Sequence, residues 1–302
     1  MTYDILVIGG GPAGLTAATY ACRAGKSVLV IEKNAFGGQI TWSPRVENFP
    51  GFVSVTGTEL GDKLLEQAME QGAEVELDEA VSVRAEADGV KTVVCESGAE
   101  FQGRALIAAV GARPRMLGVE REEELVGSGV CYCAVCDGAF FAGQDVAVCG
   151  GGNAALQDAL LLSETCRRVT LIHRRADFRG EQRLVEALQE RENVELVMNA
   201  RVSALLGDSE LTGLTVTQDG AERTLPVTGL FVAVGHQPDN GIFKDLMVLD
   251  EAGYAASGED CMTKSAGVFV AGDCRKKGVR QLTTAVADGA VAALAACRYL
   301  DA

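Results

Sequence analysis

Short, unbroken apolar runs that each end in glycine organise this chain. Ile5-Leu6-Val7-Ile8 runs into Gly9-Gly10-Gly11-Pro12-Ala13-Gly14, a helical stretch follows through Arg23, and a second run, Ser27 to Ile31, ends in Glu32. Four or five consecutive apolar residues predict a strand buried on both faces, as in a parallel sheet, rather than a half-exposed one. The pattern returns 141 residues later. Asp145 to Cys149 leads into Gly150-Gly151-Gly152-Asn153-Ala154-Ala155, a helix through about Ser163, and a run from Arg168 to Ile172 that ends in His173. The register is the same in both copies: Glu32 lies 18 residues past Gly14, and His173 lies 18 past Ala155. A repeated strand, glycine turn, helix and strand predicts two nucleotide-binding βαβ units.

The remaining pattern fills in the two units. Thr56 and Glu59 predict a capping box for an amphipathic helix carrying Leu60, Leu64, Leu65 and Met69. Asp88-Gly89 and Asp219-Gly220 each join apolar alternations, which predicts one antiparallel hairpin per unit. A late strand, Gly267 to Ala271, and a helix from Gln281 to Tyr299 have no glycine turn of their own, so they are expected to complete the first unit. The expected fold is α/β: two Rossmann-like three-layer domains, residues 1–114 with 242–302 and, inserted between them, 115–241. Linkers are expected near Gly111 to Arg115 and Pro238 to Gly241, where Pro and Gly interrupt the strands.

Composition narrows the function classes. With 302 residues and 48% hydrophobic content the chain can build two cores, and a formal net charge of −15 argues against a general nucleic-acid binder. Two basic clusters stand out from this acidic background, His173 to Arg179 and Arg275 to Arg280; the second can attract an acidic partner protein or neutralise a bound pyrophosphate, and the favoured reading is a solvated loop apart from Arg280. The first residues lack a basic segment ahead of an apolar one, and no run approaches the roughly 18 to 20 residues that cross a bilayer, so a cytoplasmic protein without a membrane partner is expected. Most of the ten cysteines are scattered and read as buried reduced thiols; only Cys131, Cys133 and Cys136 cluster.

Three sets of residues carry candidate chemistry. In the first copy Gly9 allows a tight turn, Gly11 lets a pyrophosphate approach the backbone, Gly14 permits close helix packing, and Glu32 can accept hydrogen bonds from adenosine ribose hydroxyls. The second copy has His173-Arg174-Arg175 and Arg179 in place of that carboxylate. Guanidinium groups pair with a ribose 2′-phosphate that a carboxylate repels, so this copy is expected to prefer NADPH to NADH, a solvated basic turn being the plainer reading. Cys133-Ala134-Val135-Cys136 precedes the second unit, and two close thiols suit disulfide exchange: one attacks a partner disulfide and the other resolves it or exchanges electrons with a flavin. Asp137 can move the proton, or simply cap a turn. Cys131 raises a zinc reading, but the chain has two histidines, both accounted for elsewhere, and no metal is expected.

Together Gly9 to Gly14, Glu32, Gly37-Gly38-Gln39, Val46 to Gly51, Cys133 to Gly138, His173 to Arg179, and Gly272-Asp273 followed by Arg280-Gln281 resemble the bacterial thioredoxin reductases over nearly the whole chain. The resemblance implies FAD held by Gly9, Gly11, Pro12, Ala13, Gly14, Glu32, Lys33, Gly37, Gly38, Gln39 and Asn48, with Gly272, Asp273, Arg280, Gln281 and Leu282. It implies NADPH on Gly150, Gly152, Asn153, Ala154, Ala155, His173, Arg174, Arg175 and Arg179. It further implies that Cys136 faces the flavin, Cys133 attacks thioredoxin, Asp137 is the acid–base residue and the protein is a homodimer. Departures are Val110 for a usual Thr, Cys131 for a common Ser, and Ala139 for a frequent Phe, with Phe140 and Phe141 left to supply the apolar contact. Because the dithiol lies beyond the first linker, thiols and nicotinamide are expected to take turns at the flavin by rotation about the linkers. Two other readings stay open: a related flavoprotein reducing another small redox protein or disulfide, and a redox- or nucleotide-sensing binding protein.

Overall fold

In this computed structural model, which describes residues 2–86 and 88–302, strand β1 (Thr2–Ile8) has Ile5, Leu6 and Val7 fully buried, as an ungapped apolar run requires. It passes through the glycine turn into helix α1 (Pro12–Arg23) and returns as β2 (Val28–Glu32), parallel to β1 with Ile5 opposite Val28. Proline at the first position of α1 is tolerated because that N–H has no intrahelical partner. Helix α2 (Gly57–Glu70) starts at Thr56, whose hydroxyl accepts the Glu59 N–H at 3.1 Å. Leu60 is buried and Leu64 and Leu65 pack on the cores; Met69 instead turns outward and is about half exposed, correcting its expected place in the apolar stripe. Strands β3 (Glu74–Leu77), β4 (Ala80–Ala85), β5 (Lys91–Cys95) and β6 (Glu100–Ala108) follow, with β4 and β5 an antiparallel hairpin and β6 parallel to β1.

The chain divides into two units, the first running to Arg113 and resuming at Gln237, the second spanning Pro114–His236. The second repeats the design of the first. Strand β7 (Ala112–Pro114) leads across to β8 (Val130–Cys131) and the one-turn helix α3 (Ala134–Asp137). Next come β9 (Asp145–Gly150), helix α4 (Asn153–Ser163), β10 (Arg168–Ile172), helix α5 (Gln182–Gln189) and β11 (Val194–Val197). An antiparallel layer of β12 (Ala200–Leu206), β13 (Gly213–Gln218) and β14 (Ala221–Leu225) follows, and β15 (Gly229–Ala233) completes a parallel sheet ordered β11-β10-β9-β15-β8. Asp219 and Gly220 both take positive φ, 50° and 82°, the geometry of a tight two-residue hairpin turn.

Strand β16 (His236–Pro238) pairs with β7 where the chain crosses back. The crossing falls at His236/Gln237, ahead of the boundary expected at 241/242. By Asn240 the chain is already anchored in the first unit: its buried amide donates to the carbonyls of Gly253 and Cys274 at 2.9 and 2.8 Å. Strand β17 (Val268–Val270) joins β6 in parallel, and helix α6 (Leu282–Asp301) covers α1. A Cβ on Gly289 would sit 2.2 Å from the Ala13 carbonyl oxygen, so α6 crosses α1 backbone to backbone at the mouth of the glycine turn. No helix among the described residues is long and apolar enough to cross a membrane.

Candidate active site: two glycine turns and a dithiol

In the first turn the three glycines do different work. Gly9 has φ of 106° and a Cβ there would meet the Ala109 carbonyl oxygen at 2.3 Å, while one on Gly14 would meet the Gly9 carbonyl oxygen at 1.9 Å. Both are demanded by packing within the protein. Around Gly11 the nearest atom to such a Cβ is 3.9 Å away, so this glycine keeps space clear at the start of α1. Gly11 is also the N-cap and supplies no side-chain cap, which leaves first-turn amides to bind an anion. Glu32 closes the rim: its carboxylate accepts the Gly10 and Asn34 N–H groups at 2.7 and 2.9 Å and keeps lone pairs for ribose hydroxyls.

Most of the residues assigned to the flavin converge on this turn. Gly37 and Gly38, both left-handed, bring Gly38 against Gly11, and Gln39 donates to the Ala112 carbonyl at 3.1 Å. Gly272 packs against Ala13, Arg280 donates to the Asp273 carbonyl at 3.2 Å while its guanidinium lies 4.1 Å over the Tyr254 ring, and Asn48 donates to Gln281 at 3.4 Å. Pro12 and Ala13 open α1, and Leu282 opens α6. Lys33 departs from the group: Glu79 and Asp239 hold its ammonium at 3.2 and 2.6 Å. The cradle fits a dinucleotide, with first-turn amides left without a side-chain cap at the start of α1 and a carboxylate at the end of the next strand.

The second turn repeats these constraints with different side chains. A Cβ on Gly150 would meet the Ala233 carbonyl oxygen at 2.5 Å, Gly152 has nothing within 4 Å, and Gly152 again caps the helix without a side-chain bond. Ala155 takes the place of Gly14 and is fully buried. The segment after β10 is stapled to the turn. Arg179 N–H donates to the Gly151 carbonyl at 2.8 Å, and Glu181 N–H donates to the Asn153 side chain at 2.7 Å. Ala154 lies exposed beside Asn153 at the helix start.

His173 has a role the basic cluster did not suggest. Its ring is buried under Gly151, stacks on Phe178 at 5.2 Å and 21°, and holds the Asp177 carbonyl through Nε2 at 3.1 Å. Burial pulls its pKa below the ordinary value, and Arg179 and Arg175 act in the same direction against two backbone hydrogen bonds. It is therefore a neutral packing block, and the positive charge at this mouth rests on Arg174, Arg175 and Arg179. All three are exposed, and among the described residues none is salt-bridged to a carboxylate.

The third element is a disulfide between Cys133 and Cys136, with Cα atoms 5.3 Å apart. Cys133 is the N-cap of α3, and its sulfur accepts the Cys136 N–H at 3.2 Å, so the helix start favours negative charge on that sulfur. Asp137, in the same turn, is pushed up to about 6 by burial, partly offset by a hydrogen bond from the Cys131 thiol. Cys131 itself is buried and held well above the ordinary thiol range, first by burial and then by Asp137, so it is a protonated donor and a poor exchange nucleophile. Phe141 turns inward onto Phe231 at 5.4 Å, which leaves Phe140 and the exposed Val135 as apolar groups near the disulfide. The other free cysteines are buried except Cys22, which is half-buried.

Residues 3–289 match the family model described as pyridine nucleotide-disulphide oxidoreductase. The chain belongs to that family. Its relatives include the thioredoxin reductase of Listeria monocytogenes, 41% identical across 99% of this chain and 94% of that protein. The bifunctional thioredoxin reductase/thioredoxin of Mycobacterium leprae is 42% identical, and this chain spans 66% of its length. Among solved structures, the thioredoxin reductase of Streptococcus pyogenes aligns with a TM-score of 0.94 at 36% identity, covering 99% of this chain and 98% of that one. Members of the pyridine nucleotide-disulphide oxidoreductase family use a flavin and a pyridine nucleotide, and two nucleotide turns with one dithiol are the parts such chemistry needs.

One expectation is overturned and one group of residues was missed. Arg275 and Lys277, read from sequence as part of a solvated loop, have nearly buried side chains paired with Asp288 of α6 at 2.8 and 3.1 Å. Of Arg275, Lys276 and Lys277, Lys276 alone is exposed. A signal was present in the sequence: Asp288 is the one charged residue in the helical stretch from Leu282 to Cys297.

Proposed function

We propose that this chain is an NADPH-dependent thioredoxin reductase, passing two electrons from NADPH through FAD to the Cys133–Cys136 disulfide and on to the disulfide of thioredoxin. The observation that carries the reading is the disulfide at the head of α3, with a half-buried Asp137 in the same turn, inside the unit that also holds the arginine-rimmed glycine turn. In this reading the first turn, Glu32, Gly38, Gln39, Asn48 and Asp273 hold FAD, and the second turn with Arg174, Arg175 and Arg179 holds NADPH by its 2′-phosphate. The flavin, when bound, converts a hydride from the nicotinamide into electrons a disulfide can take.

The protein's own groups then complete the exchange. Reduction opens the Cys133–Cys136 bond, and Cys133 as thiolate attacks one sulfur of the partner disulfide, forming a mixed disulfide and releasing a partner thiolate. Asp137 supplies the proton to that leaving sulfur, a task suited to a carboxyl pushed up to about 6. Cys136 as thiolate attacks Cys133, which restores the intramolecular disulfide and frees the second partner thiol. The exposed Val135 between the two cysteines offers the partner an apolar contact. A cytoplasmic homodimer and rotation of the two units about the β7 and β16 crossings belong to the same proposal.

The test is NADPH oxidation with and without thioredoxin. Wild type turns over with thioredoxin, and Cys133→Ser or Cys136→Ser lowers that turnover by more than about a thousandfold, the scale expected when the reacting nucleophile is removed. Full thioredoxin turnover in both variants would end the proposal, and steady turnover only with other disulfides would move it to a different acceptor.

A further inference from the structure

The two residues ahead of Cys133 face opposite sides of the second unit's sheet. Cys131 points into the core shared with helices α4 and α5, whereas Tyr132 packs on the core under the antiparallel layer of β12, β13 and β14, as alternation along an extended segment requires. The Tyr132 hydroxyl donates to Glu122 at 3.0 Å. Burial raises the pKa of this tyrosine and Glu122 raises it further, so the hydroxyl stays a donor. Glu122 is only 2% exposed, a burial that a Glu side chain tolerates when its oxygens are satisfied. Those oxygens also accept the Leu117 and Gly118 N–H groups at 2.9 and 2.8 Å.

The loop that carries Glu122 is itself anchored. Arg121 donates to the carbonyls of Gly207 and Asp208, and Leu125 is buried in the same core that receives Tyr132. Glu122 is therefore a fixed point, and Tyr132 ties the chain to it one residue before the dithiol. Downstream of Cys133 the hold comes from the other face. Ala134 is buried on the helix side, and a Cβ on Gly138 would meet the Leu162 Cδ2 at 3.0 Å, so α3 rests against α4. Cys133 lies between the two holds with an extended backbone, and its sulfur accepts the Cys136 N–H at 3.2 Å.

We propose that Glu122 is a positioning residue for the attacking thiol: through the Tyr132 hydroxyl it fixes the chain entering α3, so that the Cys133 sulfur stays on the Cys136 N–H after the disulfide opens. This rests on the reading of Cys133 as the thiol that attacks the partner. In the oxidised protein the S–S bond helps to hold Cys133 in place. On reduction that bond is gone, and the backbone entering α3 must keep the sulfur within reach of the amide. A thiolate kept there gains a charge-assisted hydrogen bond. One that swings away takes up a proton, reacts more slowly and makes the disulfide harder to reduce.

The experiment compares wild type, Tyr132→Phe, Glu122→Ala and Glu122→Gln. It reads the reduction equilibrium of the Cys133–Cys136 pair in a dithiothreitol buffer, and the rate at which iodoacetamide alkylates Cys133 at neutral pH in a Cys136→Ser background, which keeps the backbone N–H of position 136. Peptide mass spectrometry assigns the label to Cys133, and thermal unfolding is followed in parallel. Tyr132→Phe and Glu122→Ala are each expected to slow alkylation about fivefold and to move the equilibrium about fivefold toward the disulfide, the scale of one hydrogen bond. Glu122→Gln keeps an oxygen for the Tyr132 hydroxyl but turns an NH2 group toward a loop amide, so it is expected to lower the unfolding temperature while both readings stay at wild type. Readings that follow stability across the three variants, or wild-type readings in Tyr132→Phe, overturn the proposal. If Glu122→Ala does not fold, Tyr132→Phe against Glu122→Gln decides alone. Failure of the functional reading looks different: wild type then gives no thioredoxin turnover, whatever the variants do to the two readings.

Discussion

Glu32 and His173 occupy the same register, 18 residues past the last position of their glycine turns, and they meet those turns in opposite ways. Glu32 turns its carboxylate back to the Gly10 amide and stays at the rim with hydrogen-bonding capacity to spare. His173 buries its ring beneath Gly151 and pushes the cationic residues after it outward. The backbone constraints are otherwise alike: the first glycine is pressed against a neighbouring carbonyl, and the third faces open space at a helix start. A phosphate cradle is therefore generic in this fold, and the choice of dinucleotide is made by the few side chains after the second strand.

The open space at Gly11 and Gly152 gives the largest predicted effects and the cleanest way to break the comparison. A Cβ at either position has room in the protein alone, and a valine carries its two further methyls into the place a pyrophosphate needs. Gly11→Val is expected to purify folded and without flavin. Gly152→Val is expected to remain yellow while its affinity for NADPH falls by more than about a hundredfold, the loss of at least two charge-assisted hydrogen bonds. Absorbance at flavin wavelengths and anaerobic NADPH titration check both. If Gly152→Val loses flavin and Gly11→Val keeps it, the two turns have been assigned the wrong way round.

Next in size is the charge difference between the copies. Arg174→Ala with Arg175→Ala is expected to raise the KM for NADPH about tenfold to a hundredfold, the scale of one lost charge-assisted hydrogen bond to the 2′-phosphate. The KM for NADH is expected to stay nearly constant, since that cofactor lacks the phosphate. Equal losses for both cofactors would mean that the arginines act on the shape of the turn rather than on the phosphate.

Much of this design was legible in the sequence because it depends on local constraints. The glycine turns, both parallel strands of each copy, the Asp219-Gly220 hairpin and the cysteine pair are all written in short segments. Met69, Phe141 and Asn240 were not. Whether a residue at the end of an amphipathic helix turns in or out, and which of two adjacent phenylalanines meets Phe231, is decided by partners distant in sequence. The Arg275–Lys277–Asp288 cluster was hidden for the same reason: a basic loop looks solvated until α6 brings an aspartate beneath it. Asp288 was nonetheless visible as a lone charge on an Ala-rich helix, and such a residue is expected to find a partner when buried.

His173 gives the smallest predicted effect and the sharpest test of what the second copy's charge consists of. Because burial pulls its folded-state pKa below the ordinary 6.5, the folded protein carries a neutral imidazole at neutral pH. The sign of the stability effect follows: the folded state binds fewer protons at this site than the unfolded chain, so its contribution is present above pH 6.5 and is lost as pH falls through the folded-state value. His173→Gln, which keeps a polar group near the Asp177 carbonyl, is expected to make unfolding less acid-sensitive below about pH 6.5. It is expected to change the KM for NADPH by no more than about twofold, the scale of a change that removes no phosphate contact. The pH dependence of that KM near 6 is then set by the second ionisation of the 2′-phosphate, at about 6, and is expected to be the same in wild type and variant. A KM profile that loses its acid limb in His173→Gln would mean that the imidazole is charged when the cofactor binds, and would return His173 to the group of cations that read the phosphate.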